Sequence, residues 1–245
     1  MSQPTTIGVF PFVPHGGYGE RQAPLIPITF QLPNPAMKLI IATPSPYARK
    51  ARVALLEKNI PFETIIDNPW VPDTGITKIN PLGKVPALIL DDGQVVHDSS
   101  VIIEYLETLP QLLHLIPQEP LLRVAVKQIE AIADGVCDAV VLIVLERNRK
   151  AEQQNAAWIS RQRKKIDAGV EELSRLFGAA EFFTPAGFSL AEIATACALG
   201  YLDLRFAEFD WRTGHDNLER LFVAMSARPS FVQTIPTAQV VPQYP

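Results

Sequence analysis

Ser45 sits in the triplet Pro44-Ser45-Pro46, after a short apolar run and before a charged, amphipathic one. Proline is preset for the first turn of a helix, so Ser45 takes the N-cap position and its oxygen accepts from a free backbone N–H. Its O–H is then left to donate. A donated hydrogen bond at the positive end of a helix favours a thiolate over a thiol. Lowering a thiol pKa by about two units requires only about 2.7 kcal/mol. Thr43 is the runner-up for this role, and Tyr47 is a third hydroxyl nearby. Further along, Val85-Pro86 precedes an apolar strand, and Val85 offers backbone N–H and C=O to an extended ligand as an added strand would. Asp98-Ser99 opens a helix, where free N–H groups and the helix dipole favour a carboxylate. Asp98 is in addition a counter-charge for an amine. Both residues also suit plain helix capping. Taken with Val85-Pro86, they point to a small peptide bearing an amide, a carboxylate and an amine.

The elements that position these residues follow from periodicity and turn chemistry. Lys38 to Ala42 reads as a strand, Pro46 to Asn59 as a helix and Phe62 to Ile66 as a second strand, a right-handed parallel unit. In that helix Val53, Leu55 and Leu56 lie opposite Arg49, Lys50, Arg52 and Lys58, an amphipathic pattern. One short helix is expected between Pro69 and Asn80. Ala87 to Leu90 and Gln94 to His97 form a hairpin across Asp91-Asp92-Gly93, and a helix runs from Asp98 to Thr108. Beyond a proline-containing linker the chain reads as helical throughout. Long helices are predicted from Leu121 to Arg147 and from Glu152 to Phe177. Charges at Arg123, Lys127, Glu130, Asp134 and Asp138 mark one polar face of the first. Ile159, Ile166 and Leu173 form a stripe on the second, which suggests antiparallel packing of the pair. Ser189 and Glu192 form a capping box, with Phe188 and Ile193 as a hydrophobic staple, for a core helix whose body is Ala191 to Leu204. A last helix covers Asp216 to Ser226, before Pro229.

The segments MKLIIATPSPYARKARVALLEKNIPFE and NPLGKVP with DSSVIIEYL resemble the thioredoxin-like domain of the soluble glutathione transferases. FSLAEIATACALGYLDLRF is similar to the buried helix of that family's helical domain. The resemblance covers residues 37 to 235, and its nearest form is a bacterial subgroup with Ser-Pro-aromatic after the first strand. It implies an α/β N-terminal thioredoxin-like domain plus an all-α C-terminal helical domain. The boundaries expected are 37–110 for the glutathione-binding domain, 111–120 for the linker, 121–235 for the helical domain and 236–245 for a tail. Glutathione is the implied co-substrate. Ser45 activates its thiol, while Lys84, Val85, Pro86, Asp98 and Ser99 hold it; Lys84 faces its glycyl carboxylate or solvent, and the bond before Pro86 is cis. The second substrate is expected to be a small electrophile in a mostly apolar cleft against the first long helix, where Asp134 and Asp138 either border it or form a wet face. The resemblance also implies a homodimer.

Composition bounds the rivals. The chain has 245 residues and a formal net charge of −4, with no basic stripe interleaved with aromatics, which argues against a nucleic-acid surface. The cations Arg161, Arg163, Lys164 and Lys165 read as a solvated helix face. Cys137 and Cys197 form no CxxC pair and read as small core residues. No metal-ligand spacing, G-x-S-x-G elbow or phosphate-binding glycine loop occurs, so no metal is expected. No apolar run is long enough to span a bilayer and no secretory signal opens the chain, so the expected location is cytoplasmic. Thiol-disulfide exchange is disfavoured, because Ser45-Pro46-Tyr47-Ala48 stands where glutaredoxins carry Cys-Pro-Tyr-Cys. A non-catalytic scaffold, and glutathione-dependent ether cleavage, dehalogenation or isomerisation, stay open. Residues 1–36 hold seven prolines and the sequence HGGYG; they are expected to be a disordered extension, or to precede a true start at Met37, and to be dispensable.

Overall fold

The structure, a computed structural model, describes residues 37–110 and 113–242. The Pro-rich extension of residues 1–36 lies outside the described residues.

Strand β1 (Lys38–Ile41) lies at the centre of a four-stranded sheet of order β2-β1-β3-β4, with β2 spanning Glu63–Ile66, β3 Ala87–Ile89 and β4 Val95–Val96. It pairs parallel with β2 and antiparallel with β3, where Ile40 opposes Ala87. Alternation divides its side chains: Leu39 and Ile41 enter the main core, while Ile40 joins Ile76 and Ala87 on the other face. The expected hairpin is present, closed around Gly93 at φ 84°. A single 3₁₀ turn, Ile76–Lys78, is the short helix expected in that loop.

Helix α1 (Pro46–Glu57) starts where the Ser-Pro signal places it. Its charged face is enclosed rather than wet. Arg49, Lys50 and Lys58 are only 7%, 1% and 3% exposed, because α1 is sandwiched between the sheet and the helical half. Each charge is met by a group from far along the chain. Lys58 reaches Glu107 at 3.1 Å and the Leu113 carbonyl at 2.6 Å. Arg49 lies 5.0 Å from the Phe231 ring centre and passes so close to Gly200 that a Cβ there would meet its Nη1 at 2.8 Å.

Helices α2 (Ser99–Glu107), α3 (Pro120–Arg147), α4 (Ala156–Phe177), α5 (Leu190–Arg205), α6 (Asp216–Ser226) and α7 (Pro229–Val232) complete the fold. The largest difference from the expected limits is at the start of α4. A 3₁₀ turn occupies Ala151–Gln153, and α4 begins only after Asn155, whose side chain accepts from the Trp158 N–H at 3.0 Å. Pro229, noted only as following the helix of Asp216 to Ser226, opens α7 as its first residue. α3 packs along both α4 and α5, and α5 along α1. The Ser189–Glu192 capping box forms, and every residue from Leu190 to Leu202 is buried. The polar face of α3 is enclosed in part: Glu130 is only 2% exposed and Arg123 pairs with Glu104 of α2, while Asp138 stays exposed. Cys137 and Cys197 are free and buried. No helix of the described residues is long and apolar enough to cross a membrane.

Candidate active site

The loop after β1 delivers Ser45 to a cavity of about 430 Å³ between the sheet-bearing half and helices α3 and α5. Clefts of that size suit small organic ligands. The Ser45 N–H donates to the Ala42 carbonyl at 3.0 Å, and its Oγ accepts from the Ala48 N–H at 3.2 Å. The hydroxyl therefore caps α1 and still carries a proton to donate into the cavity. Thr43, the rival hydroxyl, is held elsewhere: its Oγ1 donates to the Thr237 carbonyl at 2.9 Å, and it does not line the cavity.

Lys84, Val85, Pro86, Asp98 and Ser99 all line the same cavity as Ser45. The Val85–Pro86 bond is cis. The β1–β3 register ends at Ala87, so the Val85 peptide groups lie beyond the ladder. Asn80, which no sequence signal singled out, shapes this turn: its amide donates to the Lys84 carbonyl at 2.8 Å and its oxygen accepts from the Leu82 N–H at 3.0 Å. Asp98 is the N-cap of α2, accepting from the Ser100 N–H at 3.0 Å and the Ser100 hydroxyl at 2.9 Å. Burial pushes the Asp98 carboxyl up, but those bonds, the Val101 N–H and the nearby Lys50 outweigh it and hold it below the ordinary carboxylate range. Asp98 is therefore an anion at neutral pH. Ser99 is buried at the first position of the helix.

The opposite wall comes from the helical half. Asp134 and Asp138 of α3 both line the cavity, and the Tyr47 hydroxyl donates to Asp138. Burial, with the Cys137, Asp138 and Asp134 groups around it, keeps the Tyr47 phenol far above its usual pKa, so it is a neutral donor. Beneath them Lys50 bridges Glu130 at 2.7 Å and Asp134 at 2.6 Å. Desolvation works against the Lys50 ammonium, yet the two carboxylates more than offset it and its pKa is raised. Burial, with Glu130 and Asp138 as neighbouring acids, raises Asp134 even beside Lys50. Among the described residues no group of three or more His, Cys, Asp or Glu is gathered to hold a metal ion.

The segment after Thr234 runs back to the cavity. Asn68 donates to the Val240 carbonyl at 2.9 Å and Asn148 donates to the Pro242 carbonyl, so side chains of the body grip the backbone of this strap. The strap brings Gln239 into the lining, which also includes Trp70, Tyr201 and Arg205. No sequence signal identified these four. Each depends on a contact between segments far apart in the chain.

Residues 44–109 match the family described as "Glutathione S-transferase, N-terminal domain", and residues 156–222 match "Glutathione S-transferase, C-terminal domain". An uncharacterized GST-like protein of Escherichia coli K12, YibF, is 38% identical over 200 residues, spanning 82% of this chain and 98% of its own. A glutathione S-transferase from Methylobacterium radiotolerans, solved in complex with glutathione sulfonate, superposes with a TM-score of 0.81 at 43% identity, covering 85% of this chain and 98% of that one. Another, from Methylobacillus flagellatus with glutathione bound, gives 0.79 at 41% identity over 82% of this chain and all 100% of its own.

Proposed function

The chain belongs to the glutathione S-transferase family, and from that premise we propose that it binds glutathione in the Ser45 cavity and joins it, through its sulfur, to a small electrophile. One observation carries the reading: a capping hydroxyl with a proton to donate, a peptide edge outside the sheet and an anionic helix start line one cavity. Val85 pairs with the cysteinyl backbone of glutathione. The α2 N-terminus with Ser99 receives the γ-glutamyl carboxylate, and Asp98 its amine. Lys84 lies on the side of the glycyl carboxylate. Ser45 then donates to the sulfur, and the N-terminus of α1 adds its positive end. Both favour the thiolate before any electrophile arrives. Attack forms the carbon–sulfur bond while the leaving group departs with the electron pair, or, in an addition, the acceptor takes a proton. The protein supplies positioning and electrostatics. Residues 37–110 form the glutathione-binding domain and 121–235 the acceptor-side domain, and the reading places the protein in the cytoplasm as a detoxifying enzyme.

The test is the pair Asp98→Ala with Ser99→Ala. Calorimetry is expected to report glutathione binding weakened at least tenfold, about 1.4 kcal/mol. Unchanged affinity would remove the assignment of the γ-glutamyl end.

A homodimer belongs to the same reading. Val101 on α2, with Leu121 and Val124 on α3, is exposed at 49%, 78% and 62% on neighbouring helices. A two-fold interface there would cover them. Light scattering at micromolar concentration should give twice the 27.1 kDa chain mass, and a monomer mass would refute the interface.

A further inference from the structure

Arg205 ends α5 and lines the acceptor half of the cavity. Its guanidinium lies 5.6 Å from the Trp70 ring centre and 5.4 Å from that of Tyr201, and it also bonds to the Tyr201 side chain. The carboxylates nearest in sequence are engaged elsewhere: Asp203 holds Arg212 at 2.7 Å, and Glu208 holds Arg147 at 2.7 Å. The two acids of the opposite wall are taken as well, Asp134 by Lys50 and Asp138 by Tyr47. Among the described residues Arg205 therefore has no ion-pair partner. Its Nε is buried without an acceptor, and Gln239 Oε1, in the lining of the same cavity, is buried without a donor. A half-buried guanidinium between two rings is costly to leave unmatched, and its planar fork suits a carboxylate.

Resting on the transferase reading above, we propose that the second substrate is a planar electrophile bearing a carboxylate, which Arg205 binds between Trp70 and Tyr201. The carboxylate takes the free donor of Arg205, and the adjoining rings stack on the conjugated body of the acceptor. A hydroxyl or N–H on the same substrate satisfies Gln239. Lys84 and Asp98 serve the glutathione moiety, so the anion is recognised on the acceptor side only.

Binding of two product conjugates separates this proposal from its premise without requiring turnover. S-(4-carboxy-2-nitrophenyl)glutathione and its methyl ester share every atom of the glutathione moiety and differ in one negative charge on the acceptor. Titration calorimetry with the full chain should show the acid bound at least tenfold more tightly than the ester. In Arg205→Gln that ratio should fall below threefold, and Arg205→Lys should keep an intermediate ratio because charge persists without the fork. Equal binding, or a tighter ester, in the unmodified protein overturns the proposal even if the Gln variant fails to fold. A preference that survives in a folded Arg205→Gln variant overturns the assignment to Arg205. Failure of glutathione itself to bind would overturn the transferase reading and this inference with it.

Discussion

Lys50→Met lowers the unfolding free energy by about 3 kcal/mol, the low end of the range for removing one partner from a buried ion pair. Methionine keeps most of the stem, so the loss reports charge rather than volume. Glu130 is left almost wholly enclosed, and Asp134 loses the ammonium at 2.6 Å. The cost stays at the low end because Lys127 still reaches Glu130 at 2.5 Å from a more exposed position. Urea unfolding at pH 7 measures it. Adding Glu130→Gln to Lys50→Met should recover part of the loss, since the enclosed Glu130 charge is then gone while Asp134 still lacks its ammonium. A double variant as unstable as the single one would show that packing, not charge, is at stake. The pH dependence has a fixed sign. The folded pKa of Lys50 is raised above its unfolded value, so its contribution is complete below about pH 10.4 and is lost as pH rises through the folded pKa. The difference between the unmodified protein and Lys50→Met should therefore hold from neutral pH to about pH 10 and narrow in stronger alkali.

Ser45→Ala has the largest expected effect on catalysis. Without the donated hydrogen bond the bound thiol returns towards its ordinary pKa, and kcat/KM near neutral pH falls about tenfold or more for a shift of one to two units. The deficit should shrink as pH rises, because hydroxide then forms the thiolate unaided. A capping role alone predicts a different result: stability drops by about 1 kcal/mol while the pH profile keeps its shape. The geometry makes both effects available to one residue, since Oγ accepts from Ala48 and its proton remains. Thr43→Ala serves as the contrast, because Thr43 is bonded to the Thr237 carbonyl. A profile that moves in Thr43→Ala and not in Ser45→Ala would transfer the role to the other hydroxyl.

Local chemistry made much of the architecture legible. Ser45 before Pro46, the Asp-Asp-Gly turn and the Ser189–Glu192 box each act within four residues, so their structural consequences travel with the sequence wherever it folds. Asp216–Ser226 is a helix with the limits that periodicity gave it. The late start of α4 shows the limit of the same approach. Glu152 continues the helical pattern, and only the competition between a 3₁₀ turn and the Asn155 cap decides where the helix begins.

By itself, then, the sequence determined the order of the main elements and the placing of Ser45, Val85, Asp98 and Ser99 at their ends, because caps, turns and alternation are near-neighbour effects. Only the tertiary structure decided what the charged faces do. Arg49, Lys50 and Lys58 have the periodicity of a wet surface, yet they are buried because Glu107, Glu130, Asp134 and main-chain carbonyls await them. Periodicity tells that two faces of a helix differ in polarity. It does not tell whether a polar face meets water or a complementary face, since that depends on partners scores of residues away. The cavity lining follows the same rule: Tyr47 meets Asp138 across 91 positions, and Asn68 holds Val240 across 172. Arg205 is left without a carboxylate among the described residues because its neighbours in sequence, Asp203 and Glu208, are drawn to Arg212 and Arg147 by the packing of the helices.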